Sequence, residues 1–292
     1  KAARARLITL EDDDYPSLLK PLPDAPALLY VRGTLLPSDQ RALAIVGTRS
    51  ATPYGRDVTT QLAAELARQW VTIISGLAQG IDTAAHTACL REGGRTIAVL
   101  GSGIDRIYPR ENETLAHKII ENGALISEFP IGAPPEAHNF PRRNRVISGL
   151  ALGVLIAEAP ADSGALITAS MAAEQGRDVF AVPSNIFNLQ GVGANRLIQD
   201  GAKLVMSVED ILNELNLSYE NLQTRRQTER IQPENDLEVQ VLAQLSTDPL
   251  HVDVLARMTG LPISTITGTL AILELKGLAQ SAGPMQYSLS LS

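Results

Sequence analysis

The sequence predicts an α/β protein, a parallel β-sheet with helices on both faces, followed by a small carboxyl-terminal winged-helix module. Three observations predict it. Between residues 41 and 207, short runs rich in β-branched residues alternate with helical stretches. Each run ends in a polar, glycine-rich or proline-containing segment, the signature of loops at the carboxyl edge of an open sheet, where ligands bind. A polar stretch, NLSYENLQTRRQTERIQPEN at 216–235, then separates that region from a second helical pattern. The length of 292 residues suits two units at roughly 100–200 residues per domain.

Taken in order, residues 1–40 form an extension that contains DYPSLLKPLPDAPALLYVRG, with one strand at Leu28 to Val31, expected to pack on the sheet domain. The sheet domain, 41–215, has strands at Leu43 to Val46, Val71 to Ser75, Thr96 to Leu100, Ala124 to Ser127, Val154 to Glu158, Asp178 to Val182 and Lys203 to Val205, with helices between them. Residues 216–235 are a linker. In residues 236–292, helices at Leu237 to Leu245, Val252 to Met258 and Ile263 to Leu275, a turn at Gly260-Leu261-Pro262 and a hairpin around Gly283-Pro284 give a helix-turn-helix core followed by a wing.

Composition narrows the function. Hydrophobic residues make up 45% and charged residues 20%, enough to bury a core. Only four residues separate the basic amino end from EDDD, and the longest weakly polar run, Gly149 to Ala159, is far short of a membrane helix, so neither secretion nor membrane spanning is expected. The single cysteine, Cys89, suits a reducing cytoplasm. The net charge of −7 argues against a polyanion partner, yet Arg142, Arg143 and Arg145 form a basic stretch. A small basic patch on an acidic body can hold a polyanion if backbone amides share the work.

Three loops offer such amides. Gly47 to Gly55 joins strand to helix and carries Arg49 and Ser50; its amides and the helix's positive end can receive a phosphate, and the same pattern equally suits a plain turn with a surface arginine. Ser75 to Asp82, with Gly76, is a second such loop, in which Asp82 reads as a helix cap. Ser163-Gly164 and Thr168 open a third helix. All three face Phe140-Pro141-Arg142-Arg143-Asn144-Arg145. Catalytic patterns are weaker: His86, His117, His138 and His251 lack metal-ligand spacing, there is no GxSxG elbow, and Glu128 and Glu158 read as capping or loop residues ahead of a carboxylate pair. No cofactor, metal or catalytic residue is expected.

The strings VGTRSATPYG, SGLAQGIDTAAH, VLGSGIDRIYPRENETL, SEFP, NFPRRNRVISGL and EAPADSGALITASMAAEQGRDVFAVP, in this order over about residues 7–215, resemble the DprA (Smf) family of bacterial DNA-processing proteins. The carboxyl-terminal module resembles the winged helix of many members. The resemblance implies an extended Rossmann-like domain that dimerises, binds single-stranded DNA and helps load RecA recombinase onto it during natural transformation. It assigns DNA contacts to Gly47, Arg49, Gly76, Phe140, Arg143, Asn144, Arg145, Ser163 and Gly164, and the reading of the loops and the basic stretch adds Ser50, Arg142 and Thr168. The chain departs from the family pattern at Ser184, where glycine usually follows Val-Pro, and at Ala194-Asn195 after Gly193; it is also expected to lack the amino-terminal helical domain of many members.

Two other readings compete. A Rossmann-type nucleotide-processing enzyme resembling the phosphoribohydrolases is weakened by the missing PGGxGTxxE signature. A winged-helix regulator of duplex DNA is weakened by charge: residues 236–292 hold two basic residues against five acidic ones, and STITGTLAILEL at 264–275 has neither Lys nor Arg. That module is expected to add little to DNA affinity.

Overall fold

The computed structural model describes residues 5–217, 235–246, 249–276 and 278–289. Chain contacts divide it into two units, Lys1–Ser218 and Tyr219–Ser292. Most of the stretch read as a linker lies outside the described residues.

The first unit runs β1 (Arg6–Thr9), β2 (Leu28–Gly33), β3 (Ala42–Val46), α1 (Pro53–Arg68), β4 (Thr72–Ser75), α2 (Ile81–Arg91), β5 (Thr96–Val99), α3 (Glu113–Glu121), β6 (Gly123–Ser127), α4 (Asn139–Gly149), β7 (Gly153–Ile156), α5 (Ala165–Glu174), β8 (Asp178–Ala181), α6 (Val192–Gln199), β9 (Lys203–Leu204) and α7 (Val208–Glu214). Its nine strands form one sheet in the order β1-β2-β6-β5-β4-β3-β7-β8-β9. From β6 to β9 every pairing is parallel.

The parallel strands are legible because both faces are covered. Every residue of β3 is buried, with Leu43 and Ile45 packed into one core and Ala44 and Val46 into the other, the two-residue alternation of a pleated strand. Fully buried Ile73 and Ile74 of β4 divide the same way, each worth about 1.5–3 kcal/mol of burial. At the β5–β6 contact, Gly123 is obligatory: a Cβ there would stand 1.9 Å from the Thr96 carbonyl oxygen.

The amino-terminal extension does more than pack on the sheet; it joins it. β2 runs antiparallel to β6, and β1 antiparallel to β2, with Arg6 opposite Val31 and Thr9 opposite Leu28. The sheet is therefore mixed at this edge rather than wholly parallel. At the other end the unit extends past Leu215, because Leu217 is buried against the α7 core and its carbonyl accepts from Arg41 Nη2 at 2.7 Å.

The chain places β4, β5 and β6 on one side of β3, then crosses to put β7, β8 and β9 on the other. The loops leaving β3 and β7 therefore diverge, and this reversal of strand order opens a crevice at their carboxyl ends.

The second unit contains α8 (Asp236–Leu242), β10 (Leu250–His251), α9 (Val252–Thr259), α10 (Ile263–Leu275), β11 (Ala279–Gly283) and β12 (Gln286–Leu289). Its sheet order is β10-β12-β11. Val241, Leu255, Ile266, Leu270 and Leu273 form the core, and Gly260, at φ 71°, closes α9 in the left-handed conformation that glycine adopts without strain.

Candidate nucleic-acid interface

The crevice beside β3 and β7 has a volume of about 670 Å³ and is lined by Gly47, Arg49, Phe140, Arg143, Asn144, Ser163, Gly164 and Thr168, with Asp162 contributing a carboxylate. A neighbouring cleft of about 320 Å³ shares Arg49, Tyr108, Phe140 and Arg143 and adds Gly76, Gln79, Arg110 and Glu111. Three of the expected residues, Ser50, Arg142 and Arg145, line neither.

The helical twist explains the split. Successive residues on α4 point about 100° apart, so Arg143 turns away from Arg142 and Arg145, which lie one turn apart and are drawn to different partners. Arg142 is exposed and stands 5.8 Å over the Phe129 ring. Arg145 turns to the amino-terminal extension, bonded to Glu128 and lying 3.7 Å from an Asp24 oxygen. Arg143 points inward and is 5% exposed. It donates to the carbonyls of Gly76, at 2.8 Å, and Val99. Burial pushes its pKa down to about 10, opposed by Asp82 and assisted by Arg49. The single basic patch expected from the sequence is thus three separate environments, with Arg143 bonded to the protein's own backbone.

Two of the three expected phosphate seats are filled from within. At the amino end of α1, the buried Glu158 carboxylate accepts from Thr52 N at 2.8 Å and Thr52 Oγ1 at 2.6 Å, while Thr52 Oγ1 receives Gly55 N at 3.1 Å. A Cβ on Gly55 would lie 2.3 Å from Glu158 Oε2, so the close approach requires glycine. The first loop therefore cannot seat a phosphate on that helix end; it offers the exposed Arg49 and Ser50 instead.

In the second loop Asp82 does not cap α2 itself, whose cap is Gly80. Its carboxylate reaches back to Gly76 N at 3.0 Å and Ala78 N at 3.2 Å. Burial raises the Asp82 pKa and the Arg143 charge opposes the rise. Gly76 consequently has its amide on Asp82 and its carbonyl on Arg143.

The third seat is different. α5 begins at Gly164 without a side-chain cap bond, and no atom approaches within 4 Å of the space a Cβ would fill there. Ser163 reaches in twice, its Oγ taking Ala165 N at 3.3 Å and its carbonyl taking Leu166 N at 3.0 Å. This helix start opens into the crevice.

Opposite it, Arg49 lies 5.2 Å from the centroid of the Phe140 ring, which in turn sits 5.7 Å from Tyr108 at 42°. Arg49 makes no ion pair among the described residues. Tyr108, 44% exposed, was not among the expected residues, although the basic Arg110 stands two residues on. An aromatic shelf carrying a guanidinium can meet a phosphate and a base together.

The two strand-end glutamates and His86 have structural partners. Glu158 and Glu128 do not form a pair; each is bonded elsewhere, Glu158 also to Asn188 at 3.3 Å. His86 is buried and bonded through Nδ1 to Thr96 Oγ1 at 2.6 Å. Among the described residues no group of His, Cys, Asp and Glu is arranged to hold a metal ion, and no helix is long and apolar enough to cross a membrane. Ser184, a departure from the family pattern, and Asn195, which follows the departure at Ala194, fasten the loop after β8 by reciprocal bonds of 2.9 Å, leaving Ile186 and Phe187 outward at 78% and 85% exposure.

Comparison with known proteins agrees with this architecture. Residues 6–216 match the family model described as DNA recombination-mediator protein A, and residues 225–283 match the DprA winged helix domain. The Smf protein of Escherichia coli strain K12 is 42% identical over 276 residues, covering 93% of this chain and 74% of that protein. The DNA processing protein DprA of Bacillus subtilis strain 168 is 46% identical over 216 residues, 73% of each chain. Among solved structures, DNA processing protein A from Streptococcus pneumoniae superposes with a TM-score of 0.68 at 42% identity, covering 72% of this chain and 74% of that one. The Helicobacter pylori protein of the same name, whose structure concerns its single-stranded DNA binding mode, superposes with a TM-score of 0.65 at 32% identity, covering 73% of this chain and 96% of that one. With this sheet, this crevice and these matches, the chain belongs to the DNA recombination-mediator protein A (DprA/Smf) family, its sheet domain accompanied by a DprA winged helix.

Proposed function

We propose that the crevice binds single-stranded DNA without turnover, and that the protein serves as a mediator that protects the strand and helps load RecA. The observation that carries this reading is the Arg49–Phe140–Tyr108 shelf facing the open start of α5. A site of about 670 Å³ is in the size range of small-ligand pockets, roughly 300–1,000 Å³; it accepts single nucleotides and has no room for a duplex. Phosphate contacts carry no base identity, so sequence selectivity is low. Turnover is disfavoured because the Glu158 carboxylate is committed to the α1 start and to Asn188.

The winged helix contributes little to this binding. The outward face of α10 carries Ser264, Gly268, Ala271 and Ile272, and Lys276 is paired with Glu238 at 2.8 Å. A homodimer in a reducing cytoplasm completes the reading. A second copy would cover Phe187 and Met206, 85% and 81% exposed beyond the carboxyl ends of the adjacent strands β8 and β9.

Binding of a labelled single strand and of a duplex of equal length, at several salt concentrations, tests the proposal. Arg49→Ala should weaken single-strand binding and flatten the log–log salt slope by about 0.7, one phosphate's worth. Equal affinity for the duplex, or an unchanged slope, overturns it.

A further inference from the structure

A second cleft, of about 370 Å³, opens between α1 and α2 on the far side of Arg49. We infer that it carries the phosphodiester backbone of single-stranded DNA onward from the crevice, a conclusion that rests on the reading of the crevice given above. Arg49 makes the two continuous, since it lines the crevice, the Tyr108 cleft and this one.

Charge singles the cleft out. Its lining contains Arg49, Arg56 and Arg91 and no carboxylate, on a chain whose net charge is −7. Arg91 has no ion pair or hydrogen bond among the described residues, and the Arg56 guanidinium touches only the Ala51 carbonyl. Arg68, further along α1, is by contrast paired with Glu92 at 2.8 Å. The arginines of the cleft make no ion pair among the described residues and can meet an external anion.

The spacing fits a strand. Arg56 and Thr60 lie one turn apart on α1, and Thr83, Thr87 and Arg91 follow at four-residue intervals on α2, so each set shares a face. From residue 83 to residue 91 the helix rises about 12 Å at 1.5 Å per residue, enough for two phosphates. The hydroxyls of Thr60 and Thr87 have no partner among the described residues and can donate to phosphate oxygens. Gly80, Ala84 and Ala88 leave the floor low enough for a backbone to approach. No aromatic residue lines the cleft, so the bases point away from it and are not read. Beyond Arg91 the groove continues, but Asp57 and Glu92 enter its lining and the attraction ends there.

The test is fluorescence anisotropy on the full chain with oligothymidylates of increasing length. Arg56→Ala/Arg91→Ala should bind the shortest retained oligomer as the parent does, lose about fivefold or more on longer ones, and flatten their salt slope by about 1.4, two phosphates at roughly 0.7 each. Arg68→Ala, which removes a paired arginine of α1, should leave the length dependence unchanged. Unchanged affinity and slope of the double variant on long oligomers overturns the cleft as a DNA path, as does an equal loss at every length or an equal loss in Arg68→Ala. If Arg49→Ala has no effect at any length, the crevice reading fails, and the inferred continuity fails with it.

Discussion

Arg143 stands in the middle of the sequence's most basic stretch, and its replacement separates a DNA ligand from an internal brace. Arg143→Ala removes the donor to the Gly76 and Val99 carbonyls and the cation facing buried Asp82. An orphaned buried acceptor costs about 1–3 kcal/mol, and breaking a buried charge pair about 3–5 kcal/mol. These overlap, so a total of about 3–5 kcal/mol is expected. At roughly 2–4 °C per kcal/mol for a unit of this size, the melting temperature should fall by about 6–20 °C. The loss should depend on pH. Asp82 holds its proton to higher pH in the folded chain than in the unfolded one, so its contribution becomes less favourable as pH rises from the ordinary carboxylate range. Without Arg143 that window extends upward, and the deficit against the parent grows from acid toward neutral pH. Melting curves across that range, with a parallel single-strand salt titration, decide the matter. A parent-like melting temperature with a salt slope flattened by about 0.7 would refute the reasoning and return Arg143 to the DNA.

Three further outcomes are expected. Burial pushes the His86 pKa down to about 3 from 6.5, so the stability it secures above pH 6.5 should be lost as pH falls, at about 1.4 kcal/mol per unit; denaturant unfolding of His86→Gln from about pH 7 to about pH 4 should show a shallower decline than the parent. Truncation after Ser218, which keeps buried Leu217, should change the dissociation constant for single-stranded DNA by less than about tenfold, 1.4 kcal/mol; a larger loss with the oligomer intact would give the winged helix a direct DNA role. Phe187→Asp should shift the protein toward monomer in analytical ultracentrifugation, and an unaltered sedimentation profile would remove that loop from the interface.

What the sequence revealed followed from burial. β3, β4, β5 and β6 are covered on both faces, so they read as apolar runs and could be placed within a residue or two. β1 and β10 carried no such signal. β1 is only four residues long and partly exposed, and β10 has two; each exists because a partner strand is there to pair with it. The same limit applied at the site. Loop glycines announced backbone amides but not what would fill them, since Glu158 reaches Thr52 from 106 residues away. Proximity along the chain suggested that Arg142, Arg143 and Arg145 act together, whereas the turn of α4 buries Arg143 and different partners, Phe129 and Glu128, hold Arg142 and Arg145. Arg56 and Arg91 met only when α1 and α2 packed side by side.

The two carboxylates lodged among the loop amides bear on what the crevice turns away. A free mononucleotide must gain all its affinity at one place, and in folds of this kind the strongest place is a helix start that cradles phosphate. Here Glu158 holds one such start and Asp82 holds the amides of the next loop, which leaves a free nucleotide only the start of α5 to anchor on. A polymer does not depend on any one anchor, because many weak grips along its length add up. Such grips also open one at a time, which allows a bound strand to be peeled away segment by segment when another protein competes for it.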